Sequence, residues 1–206
     1  MIADVARFKL AIAGFDALNN QDPNHEIVNG KTYPKELLYA ERMSAMLKRY
    51  AADASETLQL AARCQHIQRW KIARASYPMT KPGYHQWRRE LKDFHAETAQ
   101  AVLLETGYDA ITINRVCSLI RKENLHTDTD AQTLEDVIVL VFVESYLAQF
   151  VATHSGYDEA KFTGILRKTL RKMSANGRQA ALNMISPPVA LVPLLRQLAN
   201  EVSITK

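Results

Sequence analysis

Long runs of helical periodicity restrict the fold of this chain more than any other feature, because apolar residues recur every three or four positions. In residues 3–19, for example, Phe8, Ile12 and Phe15 share one stripe. Only 7 Gly and 7 Pro interrupt 206 residues, too few for an all-β chain that turns repeatedly. The sequence therefore predicts an all-α, single-domain bundle of about eight to nine helices. The predicted helices span 3–19, 34–50, 54–67, 84–106, 110–124, 130–153 and 158–173, followed by two terminal segments.

The segment 130–153 contains seven consecutive apolar residues at 137–143, so we expect its helix to be central and buried. This run is far shorter than a bilayer span. Residues 21–33 are rich in turn formers and are predicted as a loop, and no segment has a strand pattern. We expect a helical domain over 1–175, with a C-terminal helical extension over 176–206 packed on it.

Cys64 and Cys117 are the two cysteines, too few for a disulfide framework or a zinc cluster. Free thiols are typical of a reducing compartment. Asp4, Arg7 and Lys9 interrupt the first apolar residues, so no secretory signal is predicted. We therefore expect a cytoplasmic protein that does not enter a membrane, and its oligomeric state, including a homodimer, stays open.

Positive charge is concentrated in two segments of a chain whose net charge is +4. The segment 63–92 contains eight basic residues interleaved with aromatic ones, and 167–178 contains five more. Such clusters favour binding of phosphate, either on a small molecule or along RNA. A solvated surface whose acidic residues lie nearby in space is the alternative interpretation.

Four polar residues lie on apolar stripes of four predicted helices: His66, His95, Glu123 and Asp136. Asp136, for example, precedes apolar residues at spacings of four, seven and eleven. A lone buried carboxylate costs several kcal/mol, whereas two imidazoles and two carboxylates that converge can bind a metal or one another. Taken singly, each residue is also explained as a hydrogen-bonded core residue or a helix cap.

These residues lie in the segments Ala61–Gln68, Phe94–Glu97, Leu119–Glu123 and Leu134–Ile138, and their order resembles the HD superfamily of all-α metal-dependent phosphohydrolases. In that superfamily, His residues from successive helices and a late Asp hold the metal. Two family ligands are replaced here, because Tyr39 stands in place of the first His and Ile67 in place of the bridging Asp. The resemblance implies one divalent metal, Fe, Mn or Zn, on His66, His95, Glu123 and Asp136, with His66 and His95 as catalytic residues.

Longer stretches of the chain resemble a single family, the domain of unknown function 4202, from about residue 3 to 175. The matching stretches are Pro34–Met43, Ala61–Trp70, Tyr77–Met79, Trp87–Lys92, Leu134–Phe142 and Leu170–Ser174. The resemblance implies no known reaction, although some members are labelled glutamyl-tRNA synthetase. Lys172–Ser174 is similar to the start of a class I synthetase loop, but that loop works beside a nucleotide-binding parallel sheet, which is not predicted here. We therefore exclude aminoacylation and keep tRNA as a candidate partner.

Two functions remain open at this stage. The first is a pocket for a phosphate-bearing ligand such as a nucleotide, with phosphohydrolase-like activity if a metal is bound. The second is a non-catalytic nucleotide- or RNA-binding module on a degenerate HD-like scaffold. Both use the same candidates, namely Arg42, Arg63, Arg69, Arg74 and Lys122 for phosphate and Trp70 or Trp87 for stacking on a base.

Overall fold

The computed structural model describes residues 2–125, 127–154 and 156–204. Within these residues the chain forms ten α-helices and a two-stranded sheet, and 72% of it is helical. The predicted all-α fold class is therefore confirmed. The chain divides into two compact units, residues 1–125 and 126–206, so the boundary expected after residue 175 lies inside the second unit.

The first unit has a hydrophobic core between its helices. Its elements are α1 (Val5–Asn19), β1 (His25–Val28), β2 (Lys31–Pro34), α2 (Lys35–Tyr50), α3 (Glu56–Cys64), α4 (Lys81–Glu105) and α5 (Ala110–Arg121), with 3-10 turns at Arg69–Lys71 and Arg74–Ser76. Helix α5 packs against α3 and α4, and α2 packs against α3. Phe15, Met43, Leu60, Leu91 and Ile120 are among the buried apolar side chains that stabilise this unit.

An antiparallel hairpin occupies most of the segment 21–33, so the predictions of a loop there and of no strand in the chain were wrong. Strands β1 and β2 are antiparallel, and Val28 of β1 pairs with Lys31 of β2. Asn29 and Gly30 form the turn between them with φ angles of 50° and 75°. Two-residue hairpin turns of this kind need positive φ at both positions, which Asn-Gly supplies. That dipeptide was the sequence signal for the hairpin.

Helix α3 ends at Cys64, three residues before the predicted end. Beyond this end the chain changes direction at Gln68, which adopts a left-handed conformation with φ of 50°. The Gln68 backbone N–H donates a hydrogen bond to Asn19 Oδ1 at 2.9 Å. His66 therefore lies in the turn after α3, and its predicted place on the apolar stripe of this helix was wrong.

Side-chain caps fix most of the helix starts, because a cap oxygen accepts a backbone N–H of the first turn. The capping residues are Asp4, Ser55, Thr80, Asp109, Asp128, Asp158 and Ser174. Asp109 caps the helix that was predicted from residue 110, and Asp158 caps the helix that was predicted from residue 158.

The second unit consists of α6 (Thr129–Val141), α7 (Leu147–Thr153), α8 (Glu159–Arg171), α9 (Ala175–Asn183) and α10 (Val192–Ile204) in its described residues. A π-helical turn, Phe142–Tyr146, joins α6 to α7, so the helix predicted over 130–153 is continuous but not regular. Val137 and Leu140 are completely buried, as expected for this helix. Helix α6 packs against α9, and α8 packs against α10.

Asn176 and Gly177 lie in the first turn of α9. Ser174 caps this helix by accepting the Gly177 N–H at 2.9 Å. The residues similar to a synthetase loop, Lys172–Ser174, therefore connect α8 to the cap of α9.

Among the described residues, Thr129–Thr153 is the single stretch that is long and apolar enough to cross a membrane. This criterion rests on length and composition alone, and a core helix of a soluble protein also meets it.

Candidate functional site

Two histidines meet in the first unit. His66 comes from the turn after α3 and His95 from the middle of α4. Their ring centroids are 5.8 Å apart with planes inclined at 37°. The ring of Tyr39 on α2 stacks on the ring of His66, with centroids 4.3 Å apart and planes inclined at 14°. The structure therefore brings together two of the four predicted metal ligands.

His95 is buried, with 2% of its surface exposed. Its Nδ1 lies 2.7 Å from the backbone oxygen of Ile67, an acceptor, so Nδ1 carries the proton and donates it. Burial lowers the pKa of His95 to about 3, and the imidazole is neutral. Its Nε2 then presents a lone pair that, within the described part of the chain, is buried without a hydrogen-bond partner.

His66 is held between a guanidinium group and a carboxyl group. Arg69 Nη1 donates to His66 Nε2 at 3.3 Å, so the ring proton is on Nδ1. This Nδ1 lies 3.7 Å from Glu36 Oε2. Burial and the positive charge of Arg69 hold the pKa of His66 well below its usual value, which makes this imidazole neutral as well.

Glu36 is a member of the site that the sequence analysis missed. It lies in the first turn of α2, where its backbone N–H donates to Asp22 Oδ2 at 3.0 Å. Burial raises the pKa of Glu36 to about 7, although the positive charge of Arg69 acts in the opposite direction. Buried Ala40, Met43 and Leu47 follow it at helical spacing, which is the pattern that singled out other polar residues.

Two guanidinium groups lie beside this cluster without a carboxylate partner in the described residues: Arg69 and Arg88. Arg69 Cζ stacks over the ring of Trp87 at 4.9 Å from the centroid. Burial and the positive charge of Arg88 lower the pKa of Arg69. Lys122 adds a third positive charge near His66. The site therefore combines neutral imidazoles, a titratable carboxyl group and concentrated positive charge. Such a site suits an anion that both accepts and donates hydrogen bonds.

Three other arginines predicted to bind phosphate are engaged within the protein. Arg42 pairs with Glu26 at 3.0 Å, and Arg63 forms two 2.7 Å contacts with the carboxylate of Asp16. Arg74 donates to the backbone oxygens of Tyr77 and Pro78 at 3.0 and 2.8 Å. Of the arginines predicted for phosphate, Arg69 alone belongs to the histidine site.

The two predicted stacking residues differ in accessibility. Trp87 is buried, its indole N–H donates to Ile72 O at 3.0 Å, and its ring carries the guanidinium of Arg69. Trp70 is half-buried in the first 3-10 turn. In this arrangement Trp87 orients Arg69, and the ring of Trp70 is the more accessible of the two.

The remaining predicted metal ligands, Glu123 and Asp136, belong to different units. Helix α5 ends at Arg121 because Lys122 has φ of 61°, and Glu123 is exposed beyond that end. Asp136 belongs to α6 of the second unit, where its carboxylate accepts hydrogen bonds from Ser174. In the described residues no group of three or more His, Cys, Asp or Glu side chains has a geometry that could hold a metal ion. A metal ion on the histidine pair therefore stays a prediction.

Asp136 and Ser174 form a satisfied polar cluster in the second unit. Asp136 Oδ1 accepts the Ser174 N–H at 2.8 Å, and Oδ2 accepts its hydroxyl at 2.5 Å. Gln132 Nε2 donates to Oδ1 at 3.1 Å. Gly177 packs on this carboxylate so closely that a Cβ there would lie 2.5 Å from Asp136 Cγ. The cluster fixes the start of α9.

A separate cavity of about 380 Å³ opens between α1, α2 and α3 of the first unit. Apolar side chains such as Phe8, Ile12 and Leu47 line it. Its charged residues are Lys48 and Arg63, and Arg63 is paired with Asp16. Although it is a well-formed cavity, it contains neither histidine, and we place the candidate chemistry at the histidine site.

Fold and site together define an all-α protein whose first unit carries a buried, neutral histidine pair next to concentrated positive charge. A family model described as Domain of unknown function (DUF4202) matches residues 9–193, and the chain belongs to this family. The membership expected from the sequence is thus confirmed. No curated protein and no solved structure matches the chain.

Proposed function

We propose that the first unit binds a small molecule that carries a phosphate group, with Arg69 and Arg88 as the groups that hold the phosphate. The observation that carries the proposal is the pair of guanidinium groups beside His66, neither of which forms an ion pair with a carboxylate within the described residues. Two neighbouring cations that are partly withdrawn from water repel each other, and a bound dianion offsets this cost. Guanidinium groups also match phosphate oxygens geometrically.

Arg69 is oriented in advance for this role. Its guanidinium stacks on Trp87 and donates one hydrogen bond to His66, which restricts its rotamers. An arginine that is already ordered loses less side-chain entropy when a ligand binds. The neutral state of His66 matters too, because its Nε2 keeps the lone pair that accepts the hydrogen bond from Arg69.

A small molecule is favoured over RNA as the ligand. RNA binding needs many phosphate contacts on an open surface. Arg42, Arg63 and Arg74, however, are bound to groups of the protein itself. Arg69 and Arg88, which have no ion-pair partner among the described residues, lie at the half-buried histidine site, where a compact anion fits better than a polymer backbone.

Binding of inorganic phosphate, sulfate and nucleoside mono-, di- and triphosphates by isothermal titration calorimetry tests the proposal. We expect saturable binding to the wild type and a loss of about tenfold or more in Arg88→Gln, because charge-assisted hydrogen bonds contribute about 1.5–3 kcal/mol. Arg89→Gln is the matched control, because Arg89 is exposed on the same helix and its substitution removes the same charge. Equal losses in both variants, or retention on RNA alone, would contradict the proposal.

The HD-like scaffold and a divalent metal on His66 and His95 stay predictions. Elemental mass spectrometry of protein purified without chelator, for the wild type and His66→Ala, tests the metal. Near-stoichiometric Fe, Mn or Zn that the variant loses would confirm it. Absence of metal in both proteins would leave the phosphate site as a set of protein groups alone.

A further inference from the structure

The Glu36 side chain is largely buried, and no group among the described residues donates a hydrogen bond to its carboxyl. Only 9% of the side chain is exposed. The nearest polar atom, His66 Nδ1, is 3.7 Å from Oε2, which is beyond hydrogen-bond distance. In the described residues, the carboxyl makes no other hydrogen bond or ion pair. A buried carboxyl of this kind costs free energy unless another group satisfies it.

The acidic and basic neighbours of Glu36 cannot satisfy it, because they have other partners or lie too far away. Asp22 accepts the backbone N–H groups of Asn24 and Glu36. Glu26 on β1 pairs with Arg42. Lys35 and Arg69 act on Glu36 through their charge, but neither is within ion-pair distance of it.

Glu36 lies on the far side of the His66 ring from the proposed phosphate position. Arg69 Nη1 contacts one ring nitrogen at 3.3 Å, and Glu36 Oε2 faces the other at 3.7 Å. One imidazole ring therefore separates the phosphate-holding guanidinium from the unsatisfied carboxyl. A short hydroxylated carbon chain spans such a distance, with its phosphate at one end and a hydroxyl at the other.

We propose that the ligand is a phosphorylated polyol, such as a sugar phosphate or the ribose phosphate of a nucleotide, and that Glu36 accepts a hydrogen bond from one of its hydroxyl groups. This inference rests on the proposed function. It assigns Glu36 a role in specificity, because a carboxylate near the phosphate position repels an anion that brings no hydroxyl donor. Sites built to bond a hydroxyl reject analogues that lack it.

Two matched pairs of phosphate esters test the inference: glycerol 3-phosphate against n-propyl phosphate, and adenosine 5′-monophosphate against its 2′,3′-dideoxy analogue. Titration calorimetry on the wild type should give at least tenfold tighter binding of the hydroxylated member of a pair. In Glu36→Leu this ratio should fall close to one, mainly because the alkyl or dideoxy ester binds more tightly than before.

Two further variants keep the result interpretable. Glu41→Gln, exposed on the same helix, is the matched control and should keep the wild-type ratio. Glu36→Gln retains a carbonyl acceptor with nearly the same shape, so it should keep part of the discrimination between the two esters of a pair. This variant provides the test if Glu36→Leu folds poorly. Circular dichroism and thermal unfolding verify the folding of each variant.

The failures of the two proposals are distinguishable. If hydroxylated and non-hydroxylated esters bind equally, or if Glu36→Leu keeps the wild-type ratio, the role of Glu36 is overturned while phosphate binding stands. If none of the four esters and no inorganic phosphate binds to the wild type, the proposed function fails and this inference fails with it.

Discussion

Each unit contains one cluster of buried polar side chains described above, and the two clusters differ in how their polar groups are satisfied. In the second unit, Asp136 receives hydrogen bonds from Ser174 and Gln132, and Gly177 closes over it. In the first unit, the buried Nε2 of His95 and the carboxyl of Glu36 have no hydrogen-bond partner in the described residues. Similar sequence patterns therefore produce a structural anchor in one unit and an open site in the other.

The difference is explained by what each region needs from its polar groups. A buried polar group that is fully hydrogen-bonded fixes local structure. One without a partner costs about 1–3 kcal/mol, and native proteins tolerate that cost most readily where a ligand or reaction uses the group. The comparison separates residues that hold the fold from residues that serve the site, and it can be tested by substitution.

The largest effect is expected for Asp136→Ala. The substitution leaves the Ser174 hydroxyl and N–H without their acceptor and removes the anchor of α9. Because hydrogen bonds to charged groups contribute about 1.5–3 kcal/mol each, we expect the free energy of unfolding to fall by about 3 kcal/mol or more. Urea denaturation followed by circular dichroism measures this loss.

The same variant tests whether the anchor is separate from the ligand site. At temperatures where Asp136→Ala remains folded, its affinity for the phosphate esters should equal that of the wild type. A stability loss below about 1 kcal/mol, or a weakened affinity in the folded variant, would break the contrast between the two clusters.

A smaller loss is expected for Gly177→Ala. The new Cβ would lie 2.5 Å from Asp136 Cγ, and the hydrogen bonds of this carboxylate restrict its movement. Overpacking of this kind costs about 1–3 kcal/mol. Gly164→Ala in α8 is the matched control, because nothing lies within 4 Å of a Cβ there. The control should be neutral or stabilising by about 0.5–1 kcal/mol, so similar melting temperatures of the two variants would refute the packing argument.

Much of the fold could be predicted because its signals are local. Helical periodicity and the caps at Asp109 and Asp158 depend on residues a few positions apart. The end of α3 could not be predicted in this way, because the turn at Gln68 is held by Asn19, which is distant in sequence. The hairpin was missed although its local Asn-Gly signal was present.

The sequence indicated the two histidines, but it did not indicate the contacts that surround them. His66 and His95 do meet, even though His66 is not on the stripe that suggested it. The partner that secures Asp136 is Ser174, 38 residues away, and no periodicity reveals such a contact. Glu36 followed the same stripe pattern as Asp136 and could have been found by applying that pattern to α2.

The pH dependence of stability sharpens the comparison through a change of slope rather than through a loss at a single pH. Below the usual histidine pKa of 6.5, the unfolded chain takes up protons on His66 and His95 while the folded chain does not. Stability therefore falls as the pH drops through this range. Glu36 opposes the fall, because its pKa of about 7 in the folded state and 4.5 in the unfolded state makes the folded chain bind more protons between these values.

Replacing Glu36 with Gln removes only the opposing contribution. Between pH 4.5 and 7, the stability of Glu36→Gln should therefore fall with decreasing pH more steeply than that of the wild type. The difference in slope should be about 1.4 kcal/mol per pH unit, the value for one proton. Urea denaturation at half-unit pH steps measures the two slopes, with Glu41→Gln as the exposed control that should follow the wild type. Parallel curves for Glu36→Gln and the wild type would mean that Glu36 is ionised and satisfied in the folded protein, which would remove the contrast with Asp136.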